Sequence, residues 1–165
     1  MKSGELSSRG LIDPRAAPLV ALLVEDNPRD AEQIAIGLEN AAERTDADRV
    51  QTIQCSTVAA ARAILRKQPV DVVILDLPLP DARGLDTLRA VREASPQTPV
   101  IVLSDIGDQA LALEALRAGA QDYILKPPPD GATLARIVRY AVERHHLMQT
   151  IDIAARESAR AARQW

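Results

Sequence analysis

The sequence predicts an α/β fold: a doubly wound sheet of five parallel strands, covered by helices on both faces, with an extended C-terminal helix. Three observations carry this expectation. Short aliphatic runs alternate five times with segments of helical periodicity, the pattern of repeated strand–helix–strand units. Two of those runs, Val72-Val73-Ile74-Leu75 and Val100-Ile101-Val102-Leu103, are apolar at every position, as strands buried on both faces must be. Several runs end in a charged or hydroxylic residue, and the carboxyl edge of such a sheet is where ligands bind.

Residues 1–17 are rich in Ser, Gly, Pro, Arg and Ala without periodicity and are expected to form a flexible tail. Leu19 to Val24 form the first strand, closed by Glu25-Asp26-Asn27-Pro28. Asn27 suits an N-cap and Pro28 a first helical turn. The helix that follows is expected to run to about Arg44, with Ile34, Leu38 and Ala41 on one side. Thr45 to Arg49 form a polar loop, and Val50 to Cys55 alternate as a short second strand. Thr57 caps an alanine-rich helix that ends near Lys67, before Pro69. The central strand Val72–Leu75 leads into Asp76 and a loop from Pro78 to Gly84. Leu85 to Ala94 form a third helix with Leu88 and Val91 inward. Val100 to Leu103 form the fourth strand, ending at Ser104-Asp105. Gln109 to Ala118 form a helix stopped by Gly119. Tyr123 to Leu125 form a last short strand, ending at Lys126. Three prolines, 127–129, break the chain, and a long helix starts near Gly131. Five such units with right-handed crossovers point to the flavodoxin-like strand order 2-1-3-4-5. The expected organisation is a tail (1–17), a globular domain (18–146) and a helical extension (147–165).

Composition narrows the function. The 165-residue chain has no Phe, one Trp and two Tyr, so its core is aliphatic and offers few stacking groups for single-stranded nucleic acid. A formal net charge of -3 supplies no general basic field for DNA or anionic membranes. No apolar stretch approaches the roughly 20 residues of a membrane span, and the first 15 residues lack the apolar centre of a secretory signal. The single cysteine, Cys55, excludes an internal disulfide and reads as a small apolar residue near a strand end. A cytoplasmic location is expected, with no direct DNA binding and no membrane association.

The predicted strand order gathers Glu25, Asp26, Asp76, Ser104 and Lys126 at one edge. Three crowded carboxylates repel one another unless a cation neutralises them. Oxygen ligands in a partly hydrated site suit Mg²⁺, which takes one or two carboxylates plus phosphate oxygens. A hydroxyl and an ammonium complete a pocket able to spread the charge of a phosphoryl group during transfer to Asp76.

With these residues in this order, the chain resembles the receiver domain of two-component response regulators over roughly residues 19–145. The matching motifs are Leu22-Leu23-Val24-Glu25-Asp26-Asn27-Pro28, Asp76-Leu77-Pro78-Leu79-Pro80-Asp81-Ala82-Arg83-Gly84, Val100-Ile101-Val102-Leu103-Ser104 and Gly119-Ala120-Gln121-Asp122-Tyr123-Ile124-Leu125-Lys126-Pro127. The resemblance implies that Asp76 accepts a phosphoryl group from the phosphohistidine of a sensor histidine kinase or phosphotransfer protein. It implies Mg²⁺ held by Asp26, Asp76 and the backbone carbonyl of Pro78, with Glu25 acting nearby or through water. It further implies Lys126 paired with the phosphate, Ser104 hydrogen-bonded to it, and Tyr123 turning inward as Ser104 moves. The Lys126–Pro127 bond is expected to be cis. For Tyr123, a half-buried residue filling space is the competing reading.

Two positions depart from the family pattern. Asp105 follows Ser104 where a small residue is usual, which places an extra carboxylate beside the expected phosphate. Pro78 is apolar and rigid where that side chain often meets partner enzymes. Both are expected to alter the kinetics of phosphorylation or dephosphorylation.

Such a domain is a phosphoacceptor rather than a turnover enzyme, although it assists its own phosphorylation and hydrolysis. An aspartate-nucleophile phosphatase of the haloacid dehalogenase type needs a second acid two residues after the nucleophile, where this chain has Pro78. A flavin protein of the same fold needs a Ser-, Thr- and Gly-rich loop after the first strand, where this chain has Glu25-Asp26-Asn27-Pro28. A receiver-shaped scaffold that is never phosphorylated stays open, with Asp105 as its support. His145 and His146 are adjacent on a helix, do not face one another, and read as solvated.

From Thr133 to about Arg163 no proline or glycine intervenes. Leu134, Ile137, Ala141, Met148, Ile151, Ala155, Ala162 and Trp165 follow a three–four spacing that Arg144 and Ser158 interrupt. The part beyond His146 is expected to project and to serve as a homodimer contact or signal-transmitting linker; a frayed tail is the other reading. The segments around Ala110–Tyr123 and Arg139–Arg144 look like receivers that precede sensor, kinase or diguanylate cyclase modules. No such module and no winged-helix or helix-turn-helix unit lies within these residues. The expectation is a stand-alone regulator acting through protein contacts or a receiver excised from a larger protein.

Overall fold

The computed structural model describes residues 18–41 and 49–163. Its elements are β1 (Leu19–Val24), α1 (Pro28–Asn40), β2 (Val50–Cys55), α2 (Val58–Lys67), β3 (Val72–Leu75), α3 (Leu85–Ala94), β4 (Val100–Ser104), α4 (Gln109–Arg117), β5 (Asp122–Leu125) and α5 (Gly131–Ala162). The five strands form one sheet in the order β2-β1-β3-β4-β5, every neighbouring pair parallel. This is the strand order the alternation predicts.

Side-chain alternation divides the core in two. Ala21, Leu23, Val72, Ile74, Ile101 and Leu103 face α1 and α5. Leu22, Val24, Val73, Leu75, Val100 and Val102 face α2, α3 and α4. Burying each large aliphatic side chain contributes about 1.5–3 kcal/mol, so the paired faces fix the register of every central strand.

The helix starts follow local chemistry. Asn27 accepts from the Arg29 amide at 3.0 Å ahead of Pro28, and Thr57 accepts from the Ala60 amide at 3.1 Å. Each side chain satisfies an amide that the first turn would leave open. Gly84 precedes α3 at φ +58°, a conformation that suits glycine.

Several ends differ from expectation. Helix α1 stops at Asn40 and is capped at Ala41, whose amide bonds back to Glu39 and Gly37; residues 42–44 lie outside the described residues. Helix α4 ends at Arg117, with Ala118 as its cap. Strand β4 takes in Ser104 and β5 starts at Asp122, because the Ile101–Asp122 and Ser104–Leu125 pairings extend the ladder. The expected tail (1–17), most of the polar loop (45–48) and Trp165 lie outside the described residues.

Helix α5 packs through Leu134, Ala135, Val138, Ala141 and Val142. Leu134 and Ala141 are therefore core residues and not part of a free seam. Contact with the domain continues past His146: His145 bonds the Gln97 carbonyl at 2.8 Å, and the Gln149 amide bonds the Gln97 side chain. Leu147, Met148, Ile151 and Ile153 are exposed. No helix among the described residues is long and apolar enough to cross a membrane.

Candidate functional site

Backbone pairing just beyond the strands sets the site. The Glu25 amide donates to Cys55, the Asp76 amide to Val24 and the Lys126 amide to Ser104, each within 2.9–3.0 Å. These bonds align the carboxyl end of β1 with those of β2 and β3, and the end of β5 with that of β4. Glu25, Asp76 and Ser104 are buried there, whereas Asp26 is exposed.

Glu25, Asp26 and Asp76 each offer a carboxylate oxygen, all within 4.8 Å of one another. The Lys126 ammonium lies 2.6 Å from Glu25 Oε2, 2.9 Å from Asp76 Oδ2 and 3.1 Å from Asp30 Oδ2. Three carboxylates thus meet the Lys126 ammonium, and Asp26 stands beside two of them. Burial raises the Glu25 carboxyl above its ordinary range; Lys126 and the Asn27 amide oppose this, and Asp76 adds repulsion. For Lys126, burial disfavours the charge, but its bonds to Glu25, Asp76 and Asp30 outweigh that and hold the ammonium above the usual lysine value.

The donor set fits a hard divalent cation. All three clustered groups are carboxylates, the ligands Mg²⁺ takes, and their charge exceeds what one lysine neutralises. The second oxygen of Asp76 accepts from the Leu77 amide at 2.8 Å, which orients the carboxylate.

The loop after Asp76 is held from three sides. Leu77 and Leu79 point inward and are buried, while Pro78 and Pro80 are exposed. The Thr87 hydroxyl donates to the Leu77 carbonyl at 2.7 Å. Asp81 accepts from the Val58 and Ala59 amides at 2.9 and 3.0 Å. Those amides hold the Asp81 carboxyl below its ordinary range and tie the loop to the start of α2.

Glu25, Asp26, Asp76 and Lys126 are brought together, while Ser104 and Tyr123 meet at Ile106. Ser104 ends β4 beside Lys126, and its hydroxyl accepts from the Ile106 amide at 3.5 Å. Tyr123 packs against the core, and its hydroxyl donates to the Ile106 carbonyl at 2.8 Å. Burial raises the phenol, and the Ser104 hydroxyl opposes this. Asp105 is exposed and lines a cavity of about 310 Å³ with Asp30 and Lys126; neither Asp76 nor Glu25 lines it. The Lys126–Pro127 bond is cis. Asp30, Asp81 and Thr87 have roles that sequence reading missed. Their signals were the Asn-Pro-x-Asp spacing after β1, an acid in the loop after β3, and a hydroxyl two residues into α3.

The family model for the response regulator receiver domain matches residues 21–139. The response regulator protein PilR of Pseudomonas aeruginosa is 35% identical over 107 residues, which cover 65% of this chain and 22% of that protein. The chain spans about half the length or less of the curated relatives it matches. Among solved structures, a CheY-like receiver domain protein from Methanospirillum hungatei shares the fold, with a TM-score of 0.67 at 18% identity, covering 80% of this chain and 99% of that one. The receiver domain of the sensor histidine kinase PA1611 from Pseudomonas aeruginosa, solved with a magnesium ion in its active site cleft, superposes with a TM-score of 0.63 at 27% identity. That match covers 77% of this chain and 99% of the other.

Proposed function

The chain belongs to the response regulator receiver domain family, and we propose that Asp76 is its phosphoacceptor, charged by the phosphohistidine of a sensor histidine kinase or phosphotransfer protein. The observation that carries this reading is the contact of Lys126 with Asp76 at 2.9 Å beside the Glu25–Asp26–Asp76 oxygen cluster.

Asp26, Asp76 and the Pro78 carbonyl would hold Mg²⁺, with Glu25 acting nearby or through water. When bound, the ion supplies positive charge to the phosphoryl oxygens. Asp76 presents a carboxylate oxygen as nucleophile, oriented by the Leu77 amide. Lys126 stabilises negative charge on the transferring group. Ser104 stands at the next strand end, ready to donate its hydroxyl to the phosphoryl group. Movement of the Ser104 segment reaches Tyr123 through Ile106, which contacts both side chains. This gives the aspartyl phosphate a path to the β4–α4 surface. The same groups assist phosphorylation and hydrolysis, so the domain acts as a signalling phosphoacceptor rather than a turnover enzyme.

We further infer a receiver unit over 18–146 and a helical extension over 147–165 that pairs with a second copy. Leu147, Met148 and Ile151 are each more than 60% exposed, and pairing would remove them from water. A cytoplasmic location fits this role.

The test is intact mass after incubation with Mg²⁺ and acetyl phosphate. The parent should gain one phosphoryl group and Asp76→Asn none. No gain in the parent, or equal gain in both, contradicts the reading.

A further inference from the structure

Lys126 has three N–H donors, and all three are taken by carboxylates: Glu25, Asp76 and Asp30. A phosphoryl group approaching Asp76 needs one of them before its bond to Asp76 forms. Until that bond forms Asp76 is still a carboxylate, and the Glu25 and Asp76 side chains are 2% and 6% exposed, so releasing either at that stage would leave a carboxylate without its cation in the interior. Asp30 differs. Its side chain is 38% exposed and makes the longest of the three contacts. It approaches from the first turn of α1 and shares with Lys126 and Asp105 the wall of a cavity that Asp76 does not line. Water can solvate Asp30 as soon as Lys126 leaves it.

Resting on the reading of Asp76 as phosphoacceptor, we propose that Asp30 is a positioning residue that occupies the third Lys126 donor and surrenders it to the incoming phosphoryl group. Asp30 thereby restrains phosphorylation: part of the Lys126 charge is spent on it, and its own charge repels an anionic donor. Asp105, on the same rim, adds to the repulsion.

In the transfer itself, the bond from phosphorus to the donor's leaving atom breaks as the bond to an Asp76 oxygen forms. With acetyl phosphate, acetate leaves with the electron pair. With phosphoramidate, the nitrogen is already protonated and ammonia leaves. At neutral pH the first donor is a dianion and the second carries one net negative charge, so the two report on local charge.

The experiment measures phosphoryl uptake from both donors, with Mg²⁺, in the parent, Asp30→Asn and Asp30→Glu. Asp30→Asn should take up phosphate from acetyl phosphate about fivefold faster, the scale of one partly exposed ion pair. The gain should be smaller with phosphoramidate and shrink as salt is added. Asp30→Glu, which restores the charge, should return towards the parent rate. Unchanged rates in Asp30→Asn overturn the proposal. So does the same change with both donors at every salt concentration, which would mark a purely structural effect. If the parent takes up nothing from either donor, the reading of Asp76 fails first, and this inference falls with it.

Discussion

The Thr87 hydroxyl donates a 2.7 Å hydrogen bond to the carbonyl of Leu77, and both residues are fully buried. This bond ties the first turn of α3 to the loop that follows Asp76. Thr87→Val keeps the shape but leaves the carbonyl without its partner, at a cost of about 1–3 kcal/mol. Urea unfolding should show that loss, and Thr87→Ser should retain most of the stability. Mg²⁺ should also bind more weakly to Thr87→Val, because the Pro78 carbonyl sits on the same loop. An unchanged midpoint for Thr87→Val contradicts the account.

Two glycines meet where α5 crosses α1, and they are predicted to behave oppositely. A Cβ on Gly131 would lie 1.9 Å from the Gly37 carbonyl oxygen, whereas one on Gly37 would lie 3.5 Å from the Gly131 Cα. Gly131→Ala forces backbone apart and should cost about 1–3 kcal/mol or more. Gly37→Ala fits and removes a glycine from a helix interior, so it should stabilise by up to about 1 kcal/mol. Thermal melts of the two variants should shift in opposite directions.

Cys55 should react slowly. Burial pushes its thiol up from 9.0 to about 11. At pH 8 the folded protein then carries about a hundredth of the thiolate of an ordinary cysteine. Alkylation should speed up tenfold per pH unit until about pH 11. The fold prefers the protonated thiol, so this group's effect on stability is absent at neutral pH. Stability is lost as pH rises from 9.0 towards 11. Timed iodoacetamide labelling, folded against urea-unfolded, checks the rate.

The strands and caps were legible because each is written locally. Unbroken aliphatic runs mark β3 and β4, and Asn27-Pro28 and Thr57 mark helix starts. Asp76, Glu25, Asp26 and Lys126 were legible as strand-end residues once the strand order was known. Asp30 was not. An acid in a first helical turn is ordinarily explained by the helix dipole, and its contact with Lys126 spans 96 residues. Asp81 and Thr87 hid for the same reason: one caps a helix other than its own neighbour, the other looks like a helix-surface hydroxyl. The described part of α1 ends at Asn40, and sequence periodicity gives no stop signal there because Ala41 to Arg44 are helix formers.

The α5 extension should control assembly. Light scattering on the full chain should give the mass of a dimer, and a chain cut after Gln149 the mass of a monomer. Ile151→Glu should have the same effect as the cut without shortening the helix. Equal masses in all three contradict pairing through this face.

Signalling by this domain depends on Asp76 being the residue that carries the phosphoryl group. Borohydride reduces an aspartyl phosphate to homoserine, and peptide mass mapping locates the product. After incubation with Mg²⁺ and acetyl phosphate, reduction should place homoserine at position 76 and nowhere else, with none formed when the metal is chelated. Homoserine at another aspartate, or none at position 76 in the presence of Mg²⁺, would contradict the account.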